Sequence, residues 1–131
     1  MNTQSYKRVA LALGVLAFVA VGAVQAQDAK PFLGAWKGTL SIAGMELEIG
    51  LNFKLDEAKK VQGTFDSITQ GASGLALGSI EIKDKTVTFM INDPNVPGDP
   101  TFKGTLDETG KKMTGEFTQA GYAGTFAVEK Q

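Results

Sequence analysis

A five-residue pattern of large apolar, polar, Gly, polar and large apolar residues recurs along the chain. In an extended strand the side chains alternate between two faces, so the glycine and the two apolar residues of each copy share one face. Glycine weakens a strand unless it marks a bend, a bulge or the close approach of another backbone. The pattern therefore predicts a sheet that coils tightly toward its apolar face, as a small barrel requires. The copies occupy residues 36–40, 61–65, 102–106, 113–117 and 122–126.

The same alternation predicts further strands between these copies. Its clearest stretch is residues 45–55, where every odd position is apolar and the even positions carry polar residues or glycine. This is typical of a half-buried antiparallel strand. Residues 34–43 predict the first strand, and a change of apolar positions from odd to even at 78–79 predicts a β-bulge. The chain is thus predicted to be all-β, a single antiparallel up-and-down β-barrel of about eight strands, with a two-sheet sandwich as the alternative.

Two stretches interrupt the alternation and predict long loops. Residues 66–74 are polar or glycine-rich, and residues 92–100 contain three prolines, which a central strand does not tolerate. Loops on a rigid scaffold often carry recognition. The candidate partner-contact residues are Asp66, Ser67, Gln70, Gly71, Asn95 and Asp99.

The N-terminal residues predict export. Lys7 and Arg8 precede an apolar run at 9–24, and small residues follow as far as Ala26. This order is typical of a secretory signal peptide cleaved near Ala26. The alternative, a transmembrane anchor, needs roughly 20 apolar residues, more than this run supplies. We therefore expect a signal peptide at 1–26 and one domain at 27–131, secreted or periplasmic in a bacterium, with no membrane span in the mature chain.

The composition excludes several kinds of chemistry. The chain has no His and no Cys, which removes most nucleophile–base pairs and the common zinc and copper sites. Glu46 and Glu48 alternate with apolar residues, so we interpret them as the solvent-exposed face of a strand. We therefore expect no catalytic residue, no metal and no cofactor. Without Lys7 and Arg8, 11 of the 13 basic residues remain against 14 acidic ones, a net charge of −3 spread along the chain, so no nucleic-acid partner is expected.

Aromatic residues dominate the predicted interior. An eight-stranded barrel is just wide enough to be filled by side chains or to hold one small ligand. These rings could therefore line a cavity for a small apolar or amphipathic ligand, or fill it, and Trp36 could be either the floor of a cavity or a plug. The predicted interior residues are Trp36, Phe53, Phe65, Phe89, Phe102, Phe117, Tyr122 and Phe126.

Several of these segments together resemble a known kind of domain. Gly34-Ala35-Trp36 resembles the Gly-x-Trp signature of lipocalin-like (calycin) barrels. With the copy at 36–40, residues 65–75 and the copies at 102–106 and 113–117, the chain resembles the small β-barrel domain that precedes the catalytic domain of many secreted bacterial α/β-hydrolases and serine peptidases. In that family an Asp-Ser-x-x-Gln-Gly-Ala segment, here at 66–72, lies in the loop after the third strand. The resemblance implies a barrel fold, export and a non-catalytic role. It also implies an alternative function, a protein-interaction module that acts with a separate secreted hydrolase or another envelope protein.

Overall fold

The computed structural model describes residues 29–131, so the predicted signal peptide at 1–26 lies outside the described residues. A short 3-10 helix at Lys30–Phe32 precedes eight strands. These are β1 (Gly34–Ile42), β2 (Met45–Leu55), β3 (Val61–Ser67), β4 (Ala72–Lys83), β5 (Thr86–Ile91), β6 (Thr101–Leu106), β7 (Lys112–Gln119) and β8 (Tyr122–Lys130).

The eight strands form one closed barrel in which each strand pairs with its neighbours in the sequence. Every pairing is antiparallel, and β8 closes the barrel against β1, from Trp36 opposite Lys130 to Ile42 opposite Gly124. The prediction of an all-β up-and-down barrel is confirmed. The sandwich alternative is wrong, because a sandwich would leave two separate sheets.

Up-and-down topology sorts the connections to two ends of the barrel. We name as the open end the one formed by the connections at 43–44, 68–71, 92–100 and 120–121. The closed end carries the other connections, the 3-10 helix and the last residue. There Phe32 and Trp36 are fully buried, and the indole Nε1 of Trp36 donates a hydrogen bond to the Phe32 carbonyl oxygen at 2.9 Å. The Lys130 Nζ donates to the Pro31 carbonyl oxygen at 2.8 Å and lies 5.3 Å from the centroid of the Trp36 ring. Trp36 is therefore part of a plug that fastens the 3-10 helix to the end of β8.

A cluster of phenylalanine rings fills the middle of the barrel. Phe102 is fully buried, and its ring centroid lies 4.9 Å from that of Phe89 and 4.6 Å from that of Phe117. Phe126 is 5.2 Å away and Phe65 is 5.5 Å away. Rings at these distances are in van der Waals contact and stabilise one another beyond the area that they bury. The predicted inward direction of these rings is confirmed.

The repeated glycines lie where neighbouring strands or side chains approach the backbone closely. A Cβ atom at Gly38 would overlap the Ala127 carbonyl oxygen of β8 and lie 2.6 Å from the Cα of Val128. At Gly115 a Cβ would similarly overlap the Lys103 carbonyl oxygen of β6. At Gly38 and Gly115 a neighbouring backbone thus occupies the volume of the missing side chain, whereas at Gly104 the side chains of Phe126 and Met113 do so. Such close approach allows the sheet to coil tightly enough to close.

The two predicted loops have different outcomes. The prediction of a loop over 66–74 is wrong in its extent, because β3 continues to Ser67 and β4 begins at Ala72, opposite it. Hydrogen bonding explains the difference: the Asp66 Oδ1 accepts the Gly74 backbone N–H at 2.7 Å and ties these polar residues into the sheet. The second loop, at 92–100, is confirmed, as is the bulge in β4, where the pairing shifts between Gly78 and Glu81.

Candidate functional site at the open end

Three large apolar side chains stand out by their exposure. Met45 is 53% exposed, Ile68 44% and Tyr122 64%. All three lie at the open end, in or directly after its connections. We call these three residues the apolar rim. Scattered exposed apolar residues are ordinary on a protein surface, but the confinement of all three to one end makes that end the candidate site.

The strand register places the rim residues near one another. Ile42 is opposite both Met45 on β2 and Gly124 on β8, and Tyr122 lies two residues beyond Gly124. Ile68 adjoins β2 on the other side, because its backbone N–H donates to the Glu48 carbonyl oxygen at 2.8 Å. With strands about 4.8 Å apart and a rise of about 3.3 Å per residue, Met45 lies roughly 12 Å from Tyr122 and roughly 11 Å from Ile68, whereas Ile68 and Tyr122 are roughly 20 Å apart. The rim therefore spans four adjacent strands, β8, β1, β2 and β3.

Tyr122 is not in the barrel interior, and its prediction as an interior residue is wrong. It has the same alternation as the buried Phe126, but the pairing of β8 with β1 stops at Gly124, opposite Ile42. Beyond that pair no β1 residue lies beside β8 to cover the tyrosine ring. The other predicted interior residues are buried, namely Trp36, Phe53, Phe65, Phe89, Phe102, Phe117 and Phe126.

The predicted partner-contact residues divide into two groups. Ser67 is only 2% exposed, so its prediction as a contact residue is wrong. It follows the inward alternation of Phe65, and its Oγ donates to the Oε1 of Gln70 at 2.8 Å. Asp66 is half-buried, and the exposed residues of this set are Gln70, Gly71, Asn95 and Asp99.

The long open-end loop is fastened to the turn beside Tyr122. The backbone N–H of Ala120 donates to the Gly98 carbonyl oxygen at 2.8 Å. The Gln119 side-chain amide donates to the Pro97 carbonyl oxygen at 2.9 Å. These bonds join the loop at 92–100 to the β7–β8 connection, so both present one continuous surface.

The alternation predicts the exposure of none of the three rim residues, since it places Tyr122 in the interior and does not single out Met45 or Ile68. Met45 follows the apolar face of β2, but it is the first residue after the turn at 43–44, where that face is no longer covered. Ile68 is the one large apolar residue among the polar residues and glycines from 66 to 74, and this isolation was the available signal.

A concave surface lies on the side of the barrel, away from the apolar rim. The β3–β4 pairing ends at Thr64 opposite Ala76, and a cleft of about 770 Å³ opens where the two strands continue. Its lining mixes polar side chains such as Asn52 and Lys54 with the half-buried Leu77. No exposed large apolar residue borders it, so the cleft lacks the feature that distinguishes the open end.

The described residues offer little reactive chemistry. From residue 29 to the C-terminus, no group of three acidic, His or Cys side chains is placed to hold a metal ion. Over the same residues, no helix combines the length and the apolar character needed to cross a membrane. At the closed end, a hydrogen bond from the Thr109 hydroxyl holds the pKa of Asp107 below its ordinary value. Burial is the next largest influence and raises this pKa, while the backbone N–H groups of Lys112, Gly110 and Lys111 lower it, so that the net shift is downward. Asp107 stabilises a turn there.

Comparison with known proteins supports the fold. A scan against protein-family models found no match, and a search of curated proteins found none either. Among solved structures, the chain is similar to a redesigned β-barrel, with a TM-score of 0.64 and 17% sequence identity. The similarity covers 79% of this chain and 95% of that one. At this level of identity the likeness shows a shared barrel architecture, which fits lipocalin-like barrels in general.

Proposed function

We propose that the protein is an exported, non-catalytic β-barrel that binds a small apolar or amphipathic molecule at its open end. The observation that carries the proposal is the confinement of Met45, Ile68 and Tyr122 to that end. Covering apolar surface contributes about 25 cal/mol per Å² removed from water. A ligand with an apolar group would cover the rim, which no part of the described chain covers.

The packing of the core favours the mouth of the barrel over its interior. The rings around Phe102 lie 4.6 Å to 5.5 Å apart, so a ligand among them would have to displace them. Toward the open end, the half-buried Ile42 and Leu47 lie between the rim and this core. An apolar group that enters the mouth would therefore contact the rim first and these two side chains next.

A second candidate function is docking to a separate secreted hydrolase or another envelope protein. The resemblance to the barrel domain of secreted hydrolases supports it. So does the fastening of the loop at 92–100 to the β7–β8 turn, which provides a broad surface beside Tyr122. The exposed Gln70, Asn95 and Asp99 would then contact the partner.

Amide chemical-shift mapping with a neutral amphiphile, decyl maltoside below its micelle concentration, tests the first function. We expect the largest shifts at residues 42–48, 66–70 and 120–124. The triple variant Met45→Ser, Ile68→Ser and Tyr122→Ser should weaken binding at least about tenfold, because most of the exposed apolar surface of the rim is lost. A matched control, Ala76→Ser with Ala127→Ser, changes exposed apolar residues on the outer wall and should leave binding intact.

Three results would contradict this function. If titration causes no change in amide chemical shifts, the proposed binding function is wrong. If the changes centre on Phe102, the ligand binds in the interior and not at the open end. Equal binding by the triple variant and the control would show that the rim is not the site. Stoichiometric co-purification with one protein, lost in the triple variant, would favour the docking function.

A further inference from the structure

We propose that the ligand of the open end is a small cationic amphiphile, an alkyl or aryl group that carries a protonated or quaternary amine. This rests on the proposed function and adds the charge of the ligand. The basis is the distribution of charged residues between the two ends. Within two residues of the open-end connections, the charged residues are all acidic, namely Glu46, Asp66, Asp93 and Asp99.

Among the described residues, lysines are absent from this region. No lysine lies within two positions of the four open-end connections, and the nearest along the chain is Lys103. The closed end has many lysines in and beside its connections and termini: Lys30, Lys54, Lys59, Lys60, Lys83, Lys85, Lys111, Lys112 and Lys130. The closed end also holds six acidic residues, namely Asp56, Glu57, Asp84, Asp107, Glu108 and Glu129. Nine lysines against six acids give the closed end a net charge of +3, whereas four acids and no lysine give the open end −4, so the barrel is polarised.

The carboxylates of the open end adjoin the rim. Glu46 follows Met45 directly, and Asp66 precedes Ile68 by two positions. Glu48 is held against the β3–β4 turn, where its backbone N–H donates to the Thr69 Oγ1 at 2.7 Å. Glu46 and Glu48 line the outer wall beside the rim, so they act on a ligand head group through their field and without direct contact. Because the Debye length is about 8 Å at physiological salt, this field is strongest at low ionic strength. The combined field of the carboxylates favours a cation at the rim and repels an anion.

The exposed ring of Tyr122 supplies a second feature that suits an ammonium group. Its side chain is 64% exposed, so the face of the ring is accessible to a ligand. A cation within about 6 Å of a tyrosine ring centroid is attracted by the ring quadrupole, and aromatic rings are a common means of binding quaternary amines. Apolar contact, an accessible ring and surrounding carboxylates together match an amine with an apolar tail. A fatty acid would bring its carboxylate next to like charges, and binding would be weakened.

One lysine opposes this field. Lys37 shares a surface groove on the outer wall with Glu46 and Glu48. Its charge offsets part of theirs, so Lys37→Gln should increase the preference for a cation. This direction of change is not expected if the charges at the open end have no effect on the ligand.

Calorimetric titration with three probes that share a decyl chain tests the inference: decyltrimethylammonium, decyl maltoside and decyl sulfate, each below its micelle concentration. At low ionic strength we expect the cationic probe to bind about tenfold more tightly than the anionic one, with the neutral probe between them. In 0.5 M NaCl the ratio of the cationic to the anionic affinity should fall below about threefold, because salt screens exposed charges.

Matched variants assign the effect to the open end. Glu46→Gln with Glu48→Gln should reduce the cation-to-anion ratio severalfold, whereas Glu57→Gln with Glu108→Gln, an equal charge change at the closed end, should leave it within experimental error. Tyr122→Leu keeps apolar surface but removes the aromatic ring, so it should weaken binding of the cationic probe more than binding of the neutral probe.

The outcomes separate this inference from the proposed function. If none of the three probes binds, the proposed function fails, and this inference fails with it. If all bind equally, or the sulfate binds best, the function stands and the inference is wrong. Sedimentation without any probe adds a further test: a dimer that Tyr122→Ser converts to monomer would assign the rim to a second copy of the chain and overturn the inference.

Discussion

Replacing Gly38 by valine tests the closure of the barrel most directly. Gly38 lies in the middle of β1, opposite Ile49 on one side and Val128 on the other. A Cβ there would overlap the Ala127 carbonyl oxygen and lie 2.6 Å from the Val128 Cα. Both obstacles are backbone atoms, so no side-chain rotation can relieve the overlap. The β1–β8 seam itself must open locally.

The expected cost follows from two contributions. Overpacking a well-filled site typically costs about 1–3 kcal/mol. Opening the seam at Gly38 also removes about two hydrogen bonds of the ladder, each worth about 1 kcal/mol net. We therefore expect Gly38→Val to lower the free energy of unfolding by about 3–5 kcal/mol. A domain of this size has a total of about 5–15 kcal/mol, so much of its stability would be lost.

Urea unfolding followed by circular dichroism measures this effect, with Thr39→Val as the matched control. Thr39 is the next residue of the same strand, but its side chain is exposed on the outer wall. Because threonine and valine are both β-branched and surface changes are small, the control should stay within about 0.5 kcal/mol of the wild type. A loss of less than about 1 kcal/mol in Gly38→Val would refute the close approach of β1 and β8 as the reason for this glycine.

Three further perturbations have defined outcomes. Phe102→Ala should lower the free energy of unfolding by about 3–5 kcal/mol in the same urea assay, because its ring contacts four others, and a loss below 1 kcal/mol would contradict a filled core. Trp36→Phe should cost about 1–2 kcal/mol by leaving the buried Phe32 carbonyl without its partner, and an unchanged melting curve would show that this bond does not hold the plug. The lowered pKa of Asp107 stabilises the fold above its unfolded pKa of about 3.9, and this contribution is lost as the pH falls through the lower folded pKa. We therefore expect the wild type to have a higher free energy of unfolding than Asp107→Asn at pH 7, and the difference to be smaller at pH 2. If the difference is the same at both pH values, the Asp107 carboxylate does not contribute to the pH dependence of stability.

The fold was largely predictable because the strands are encoded by the alternation of neighbouring residues along the chain. In residues 45–55 the alternation alone identifies a strand and its buried face, since side chains on a strand have a period of two. The bulge at Gly78 was predictable because it shifts that period by one residue. The end of β3 was not. Asp66 and Ser67 are polar, and they are held in the sheet by pairing with Gly50 and Ile49 of β2 and by side-chain hydrogen bonds to Gly74 and Gln70.

The candidate site was predictable only in part, because exposure at a strand end depends on how far the neighbouring strands extend. Alternation gives Tyr122 and Phe126 the same face, yet one is exposed and the other buried. The difference arises because β1 pairs with β8 only as far as Gly124, a register that depends on the whole closed barrel.

The sequence by itself determined the number of strands, the buried face of each and the glycines that let them coil, because these depend on near neighbours in the chain. Only the tertiary structure decided what the ends of the barrel present. Along the chain the charges look scattered, but up-and-down topology sends alternate connections to opposite ends. In this way the acids near 43–44, 68–71 and 92–100 gather at the end that carries the apolar rim, while the lysines of the other connections lie at the opposite end.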